Sequence, residues 1–176
     1  MACLLMAGVG FVPARATTLE QLSMTSMIQQ STAIVRAKVT GSYAANRKGQ
    51  IYTFYRLQVL ENLKATTPAS AEVAVPGGSL NGVQQVVPGA PGLVAGQEYV
   101  LFLWTSKSGL TQVIGLSQGL FDVGKDASGN PILSQSPIGD ATVNDRTGES
   151  SGAKPPSAIS LPQLRGKVQQ VLGGGQ

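Results

Sequence analysis

Residues 33–60, with the sequence AIVRAKVTGSYAANRKGQIYTFYRLQVL, decide the fold of this chain. Over 33–43 the odd positions are small or apolar and end on Tyr43, whereas the even positions are mostly charged or hydroxylic. An alternation with a period of two predicts a β-strand with one face in the core and the other in water. The segment 46–49, Asn-Arg-Lys-Gly, predicts a turn in which Gly49 takes a positive φ.

The return strand covers 51–60 and completes a long hairpin. Its register is well specified, because a slip of one residue would expose the whole core-facing set. The predicted core-facing residues are Val35, Ala37, Val39, Tyr55, Leu57 and Val59. The predicted outer-face residues are Arg36, Lys38, Tyr52, Phe54 and Arg56.

The five outer-face residues form a candidate partner surface. Exposed aromatic rings beside cations bind sugars, anionic polymers or proteins. The alternative interpretation is that the C-terminal segment covers Tyr52 and Phe54, which would make them part of the core.

The rest of the chain predicts further short strands between turns rich in Gly and Pro. The segment 99–104, YVLFLW, is apolar throughout and predicts a central strand covered on both faces. Two helices are predicted, over 18–30 with Thr18 as N-cap and over 160–172 with Ser160 as N-cap. The further predicted strands are 71–75, 83–87, 110–114, 120–123 and 132–134. The fold class is mainly β: a small Greek-key, OB-like barrel or a sandwich of about six or seven strands, with a helix near each end.

The beginning of the chain predicts export. An uncharged apolar run over 2–12 is followed by Ala14-Arg15-Ala16, the pattern of a signal-peptide core and cleavage site. No Lys or Arg precedes the run, which leaves open an internal start at Met1 or a buried N-terminal element. The expected organisation is a signal peptide over 1–16, a β-domain over 17–135, a linker or strap over 136–159, and a terminal helix and tail over 160–176. The expected location is the periplasm or the extracellular space.

Composition excludes several functional classes. The 176 residues contain no histidine, and the single cysteine is Cys3, which removes His-dependent triads, Cys/His zinc sites and disulfide scaffolds. The net charge of +4 is too small and too scattered for a nucleic-acid binder. The longest apolar run is too short for a transmembrane helix. We therefore expect no cofactor, no metal, no nucleic-acid partner and no transmembrane segment.

One motif carries candidate chemistry. Residues 115–119, GLSQG, match the G-x-S-x-G nucleophile elbow of α/β-hydrolases. The mechanism needs a base for the Ser117 proton, and the chain has no histidine. A Ser-Lys dyad could use Lys107 or Lys125, but no supporting motif is present. The sequence after Gly119 is strand-like rather than helical, so the motif predicts a turn between strands. Residues 126–130 likewise predict a hairpin turn rather than a calcium loop.

The order of several segments resembles a family of uncharacterised secreted bacterial β-domains over about 19–123. These segments are STAIVRAKV, GQIYTFYRLQVLENLK, VAVPGG, PGLVAGQEYVLFLW and QVIGLSQGLFDV. The hairpin portion also resembles the OB-fold barrel of netrin-like and metalloprotease-inhibitor modules. Inhibitors of that type chelate the metal of the protease through a mature N-terminal cysteine, whereas Thr17 stands at that position here.

These observations predict an exported, non-enzymatic binding or structural module of the cell envelope or extracellular space. The expected partner is a protein or an envelope polysaccharide. The alternatives are a protease-inhibitor-like module and a hydrolase that uses Ser117.

Overall fold

The computed structural model describes residues 21–64, 71–135 and 158–174. The described part is mainly β, with one helix near each end, as the sequence predicts. In chain order the elements are α1 (Met24–Gln30), β1 (Ala33–Arg47), β2 (Gln50–Lys64), β3 (Glu72–Pro76), β4 (Gly78–Leu80), β5 (Val83–Gln85), β6 (Glu98–Thr105), β7 (Thr111–Val113), β8 (Leu120–Lys125), β9 (Pro131–Gln135), β10 (Ile159–Ser160) and α2 (Leu161–Gly173).

The β1–β2 hairpin is confirmed and is longer than predicted, with 15 residues in each strand. The turn consists of Lys48 and Gly49 at φ 54° and 86°. Two successive positive φ values give a turn whose twist matches that of the flanking strands, which explains how a two-residue connection closes so long a hairpin.

The main sheet is antiparallel and has the order β10-β9-β8-β6-β1-β2-β3, with β7 also paired to β6. The sheet coils strongly, so that β3 at one edge approaches β7. The tip of the hairpin reaches the β6–β7 turn, where Arg47 Nη2 donates a hydrogen bond to the Ser108 carbonyl at 2.9 Å. No ladder joins β3 to β7 in the described residues. The architecture is therefore an OB-like coil that does not close into a barrel.

Strand β6 lies at the centre and is covered on both faces, as its uninterrupted apolar sequence predicts. Tyr99, Leu101 and Leu103 point into an inner core inside the coil of the sheet, whereas Val100 and Phe102 point into a helix-side core. The inner core also contains Val35, Ala37, Val39, Leu57, Val73, Val75, Leu93, Val113 and Leu120, with Tyr55 and Val59 packed against it. The helix-side core also contains Met27, Ile28, Ile34, Phe121, Leu133, Leu161, Leu164 and Val168. The predicted core-facing set of the hairpin is thus confirmed.

The N-terminal helix begins later than predicted. It starts at Met24, with Ser23 as N-cap, and the described residues before it are not helical. The side-chain oxygen of Gln118 accepts a hydrogen bond from the Leu22 backbone N–H at 2.7 Å, which holds this stretch against the 114–119 turn. The prediction of Thr18 as the cap falls outside the described residues. A tertiary hydrogen bond and a local serine cap therefore displace the helix start.

The C-terminal helix is confirmed. Ser160 accepts from the backbone N–H of Gln163, and the Gln163 side chain accepts from the backbone N–H of Ser160, so the two form a capping box. Ile159, the last residue of the predicted linker or strap, pairs with Leu133 in strand β10. Residues 1–16 and 136–157 lie outside the described residues.

Ten strands occur in the described residues, against the six or seven expected. Among the additional strands is β4, which forms because Asn81 and Gly82 take positive φ and connect it to β5. Neither helix in the described segments is long and apolar enough to span a membrane.

Candidate functional site

An extra residue in β1 changes the outer face of the hairpin. Val39 pairs with Leu57 and Gly41 pairs with Arg56, so Thr40 is a β-bulge. The Thr40 hydroxyl donates a hydrogen bond to the Arg56 carbonyl at 3.2 Å. Beyond the bulge the parity of β1 is inverted. The expectation that the odd positions stay on the core face as far as Tyr43 is therefore wrong.

Tyr43 instead joins the outer face and stacks on its cross-strand partner Phe54. The ring centroids are 5.2 Å apart and the planes differ by 13°. The guanidinium carbon of Arg56 lies 5.4 Å from the Tyr43 ring centroid, and the Tyr52 ring lies 6.2 Å from that of Phe54. These four side chains form one continuous row along the hairpin, which we call the aromatic strip: Arg56, Tyr43, Phe54 and Tyr52.

The aromatic strip is accessible and carries polar groups along its edge. Tyr43 is 41% exposed, Arg56 is exposed, and Tyr52 and Phe54 are half-buried. The Tyr43 hydroxyl donates a hydrogen bond to the Glu72 carboxylate at 3.1 Å. Partial desolvation and this hydrogen bond raise the pKa of the Tyr43 hydroxyl.

The two predicted cations of β1 have different surroundings. Arg36 donates two hydrogen bonds to Glu98 Oε2 of β6, at 3.1 and 2.7 Å. Its charge is therefore neutralised locally. Lys38 is exposed and pairs with Gln58, the next outer-face position of β2 beyond Arg56. The structure thus places Tyr52, Phe54, Arg56 and Lys38 on the outer face of the hairpin. Arg36 is the next outer-face position of β1 after Lys38 and is paired with Glu98.

Helix α2 covers the opposite end of the outer face. Arg165 forms two hydrogen bonds with the Glu61 carboxylate, at 2.7 and 2.8 Å, and Leu63 packs against the helix-side core. The hydrogen bonds from Arg165 lower the pKa of Glu61. Phe54 and Glu61 are seven residues apart, about 20 Å along a strand. Helix α2 therefore leaves Tyr52 and Phe54 uncovered, whereas residues 136–157 lie outside the described residues.

The G-x-S-x-G segment is a turn between β7 and β8, as predicted. A Cβ at Gly119 would lie 2.8 Å from a side-chain carbon of Ile114 and 3.1 Å from Phe102 Cβ, so this glycine is required for packing. Ser117 is 7% exposed, and its Oγ has no hydrogen-bond partner in the described residues. No base is arranged to take its proton there.

The 126–130 segment is the predicted hairpin turn. Asp126 Oδ1 accepts hydrogen bonds from the backbone N–H groups of Ser128 and Asn130, at 2.9 and 2.8 Å. The hydrogen bond from Asn130 is the largest cause of the lowered pKa of Asp126. In the part of the chain that the structure describes, no three His, Cys, Asp or Glu side chains come together to hold a metal ion.

Sequence reasoning missed two members of the site. The alternation of residue types predicts Tyr43 on the core face, because residue types do not reveal the bulge that inverts the parity of β1. Glu72 reaches the strip from β3 through pairing that is not local in sequence.

No protein-family model, curated protein or solved structure matches this chain.

Proposed function

We propose that this protein is an exported, non-enzymatic binding module that contacts a protein partner through the aromatic strip and Lys38. The observation that carries the proposal is the row of stacked rings ended by Arg56 on a part of the hairpin that helix α2 does not cover. Tyr and Arg are enriched among the residues that contribute most to protein–protein binding.

The geometry favours a protein over a polysaccharide at this surface. Sugar stacking needs a free aromatic face, whereas the Tyr43 ring is stacked on Phe54 and has the Arg56 guanidinium over it. The Tyr43 and Phe54 pair therefore offers mainly ring edges beside a cation. The Tyr43 and Tyr52 hydroxyls donate to Glu72 and Gln50, and their oxygens can still accept. These groups suit a partner that presents both carboxylates and apolar side chains.

Export is part of the same proposal and rests on the apolar run over 2–12 followed by Ala14-Arg15-Ala16. N-terminal sequencing of the protein recovered from the envelope or the medium should begin at or near Thr17. An intact Met1 in a protein that stays in the cytosol would contradict export.

Site-specific photo-crosslinking tests the contact surface. A benzophenone amino acid replaces Tyr52 in one variant and Gln84 in a matched control, because Gln84 is exposed on the separate β4–β5 hairpin. After irradiation in producing cells, we expect a protein adduct at position 52 that is weakened when Arg56→Ala is added. Equal adducts at both positions, an adduct that is a polysaccharide, or none at position 52 would contradict the proposal.

A further inference from the structure

A second surface feature lies on β6 and β7, away from the aromatic strip. A groove of about 470 Å³ opens between the end of α1 and the turn that follows β7. This volume falls within the range of small-ligand sites, about 300–1,000 Å³. The lining of this groove includes Gln30, Trp104, Gln112, Ile114 and Leu116.

Trp104 dominates this groove, and its position is unusual. It is 45% exposed, although it follows five consecutive buried residues of β6. Among the described residues its indole makes no ring contact and its Nε1 no hydrogen bond. An exposed indole offers a large apolar face and one donor, the combination typical of binding surfaces.

Two glutamine amides flank the indole. Gln112 is the direct cross-strand partner of Trp104, and Gln30 is the last residue of α1. Neither side-chain amide is hydrogen-bonded to another described residue, so each has two donors and an acceptor available to a ligand. No charged side chain lines the groove in the described part of the chain.

The apolar wall of the groove is held in a fixed conformation. Gly115 and Leu116 take φ values of 60° and 59°, which a leucine adopts only when its surroundings impose it. The Leu116 side chain reaches the loop at Gly89, where an added Cβ would lie 3.3 Å from Leu116 Cδ1. The wall is therefore formed before any ligand arrives, which lowers the entropy cost of binding.

We propose that this groove binds a neutral carbohydrate chain. A hexopyranose presents C–H groups on its faces, which pack on the Trp104 indole, and hydroxyls at its edge, which pair with the amides of Gln112 and Gln30. An uncharged lining favours a neutral sugar over an anionic polymer, because nothing in it compensates carboxylates or phosphates. This site is independent of the aromatic strip, so either proposal can fail without the other.

The chain supplies its own reporter, because Trp104 is its only tryptophan. Any change in tryptophan emission therefore reports on the surroundings of Trp104. The full-length protein is titrated with cellohexaose, maltohexaose and N-acetylchitohexaose. We expect the free protein to show a solvent-exposed indole that iodide quenches, and at least one of the three sugars to shift the emission saturably and protect it from iodide.

Variants that retain Trp104 test whether the amides of Gln112 and Gln30 bind the sugar. Gln112→Ala and Gln30→Ala should each weaken the affinity about five-fold, the effect of losing one hydrogen bond. Gln84→Ala, on the separate β4–β5 hairpin, is the matched control and should leave the affinity unchanged. Trp104→Ala, followed by calorimetry, should lose binding by about ten-fold or more.

Three outcomes would overturn the proposal. The first is the absence of an emission change with all three sugars up to about 10 mM, a concentration that would occupy most of a site with a Kd of about 1 mM. The second is a free protein whose tryptophan iodide cannot quench, which would mean that another part of the chain fills the groove. The third is equal weakening by Gln84→Ala and Gln112→Ala.

Discussion

Tyr43 stacks on Phe54 across the β1–β2 hairpin because Thr40 is an extra residue in β1. Without the bulge, Tyr43 would point to the same side as Val39, into the inner core. One inserted residue therefore moves a large aromatic side chain from one face of the sheet to the other and completes a surface that none of its members forms alone.

The stack should be measurable as an energetic coupling. We expect Tyr43→Ala and Phe54→Ala to be non-additive, with a coupling of about five-fold in the unfolding equilibrium constant, since stacked aromatic pairs stabilise beyond their buried area. Urea unfolding of the two single variants and the double variant measures it. Tyr43→Ala combined with Trp104→Ala is the control and should be additive. Additivity in the Tyr43 and Phe54 cycle would contradict a stabilising stack.

Two glycines should respond in opposite directions to alanine. Gly119→Ala should lower the free energy of unfolding by about 1–3 kcal/mol, because the new methyl group would overlap Ile114 and Phe102. Gly166→Ala should raise it by about 0.5–1 kcal/mol, because Gly166 lies in helix α2 with nothing within 4 Å of the new Cβ. Thermal and urea unfolding measure the free energy of unfolding of both variants. A Gly119→Ala variant that is more stable than Gly166→Ala would contradict this packing.

The pair of Glu61 and Arg165 should make stability depend on pH in the acid range. The hydrogen bonds from Arg165 lower the pKa of Glu61 in the folded state. A lowered carboxyl pKa stabilises the fold above the pKa of the unfolded chain, and this contribution is lost as the pH falls through the folded value. The wild type should therefore lose stability more steeply than Glu61→Gln below about pH 5.

At neutral pH the cost of Glu61→Gln should stay below about 1 kcal/mol, because both side chains are partly exposed. In Arg165→Gln the free energy of unfolding should likewise fall less steeply as the pH is lowered below about 5. A salt concentration of about 1 M should shrink the difference between wild type and variant, because it screens exposed charges. Identical pH profiles for wild type and Glu61→Gln would contradict the ion pair in solution.

The binding proposal makes a prediction about Tyr52 and Phe54. The double variant Tyr52→Ala with Phe54→Ala should weaken partner binding by about 2 kcal/mol or more, as loss of aromatic anchors does. Its free energy of unfolding should fall by no more than about 2 kcal/mol, since both rings are only half-buried. Val83→Ala, at an exposed position of β5, is the binding control. A loss of stability much larger than this would place the two rings in the core and remove the proposed surface.

Ser117 should be inert. Incubation with a fluorophosphonate probe should leave it unlabelled, because its Oγ is buried and lacks a base in the described residues. Mass spectrometry of the treated protein measures this. Stoichiometric labelling that disappears in Lys107→Ala or Lys125→Ala would support the hydrolase alternative.

Sequence patterns predicted the structural elements that depend on residues close together in the sequence. The period of two over 33–39, the turn at Lys48-Gly49 and the cap of α2 at Ser160 each depend on residues within a few positions of one another. The apolar run of β6 also predicted burial on both faces, because a strand without polar positions cannot leave a face in water.

Tertiary pairing decided the candidate sites. The bulge at Thr40 lies between two registers of β1 and β2. The Lys48-Gly49 turn sets the register near the tip of the hairpin, whereas packing of the inner core sets the register before Thr40. The same holds for Trp104, whose exposure is set by the short strand β7 and the end of α1, and for Glu72, which β3 brings to Tyr43. Alternation and capping are properties of neighbouring residues and can be seen in the sequence, whereas the side chains that share a surface are selected by contacts between distant segments, which exist only after the sheet has coiled.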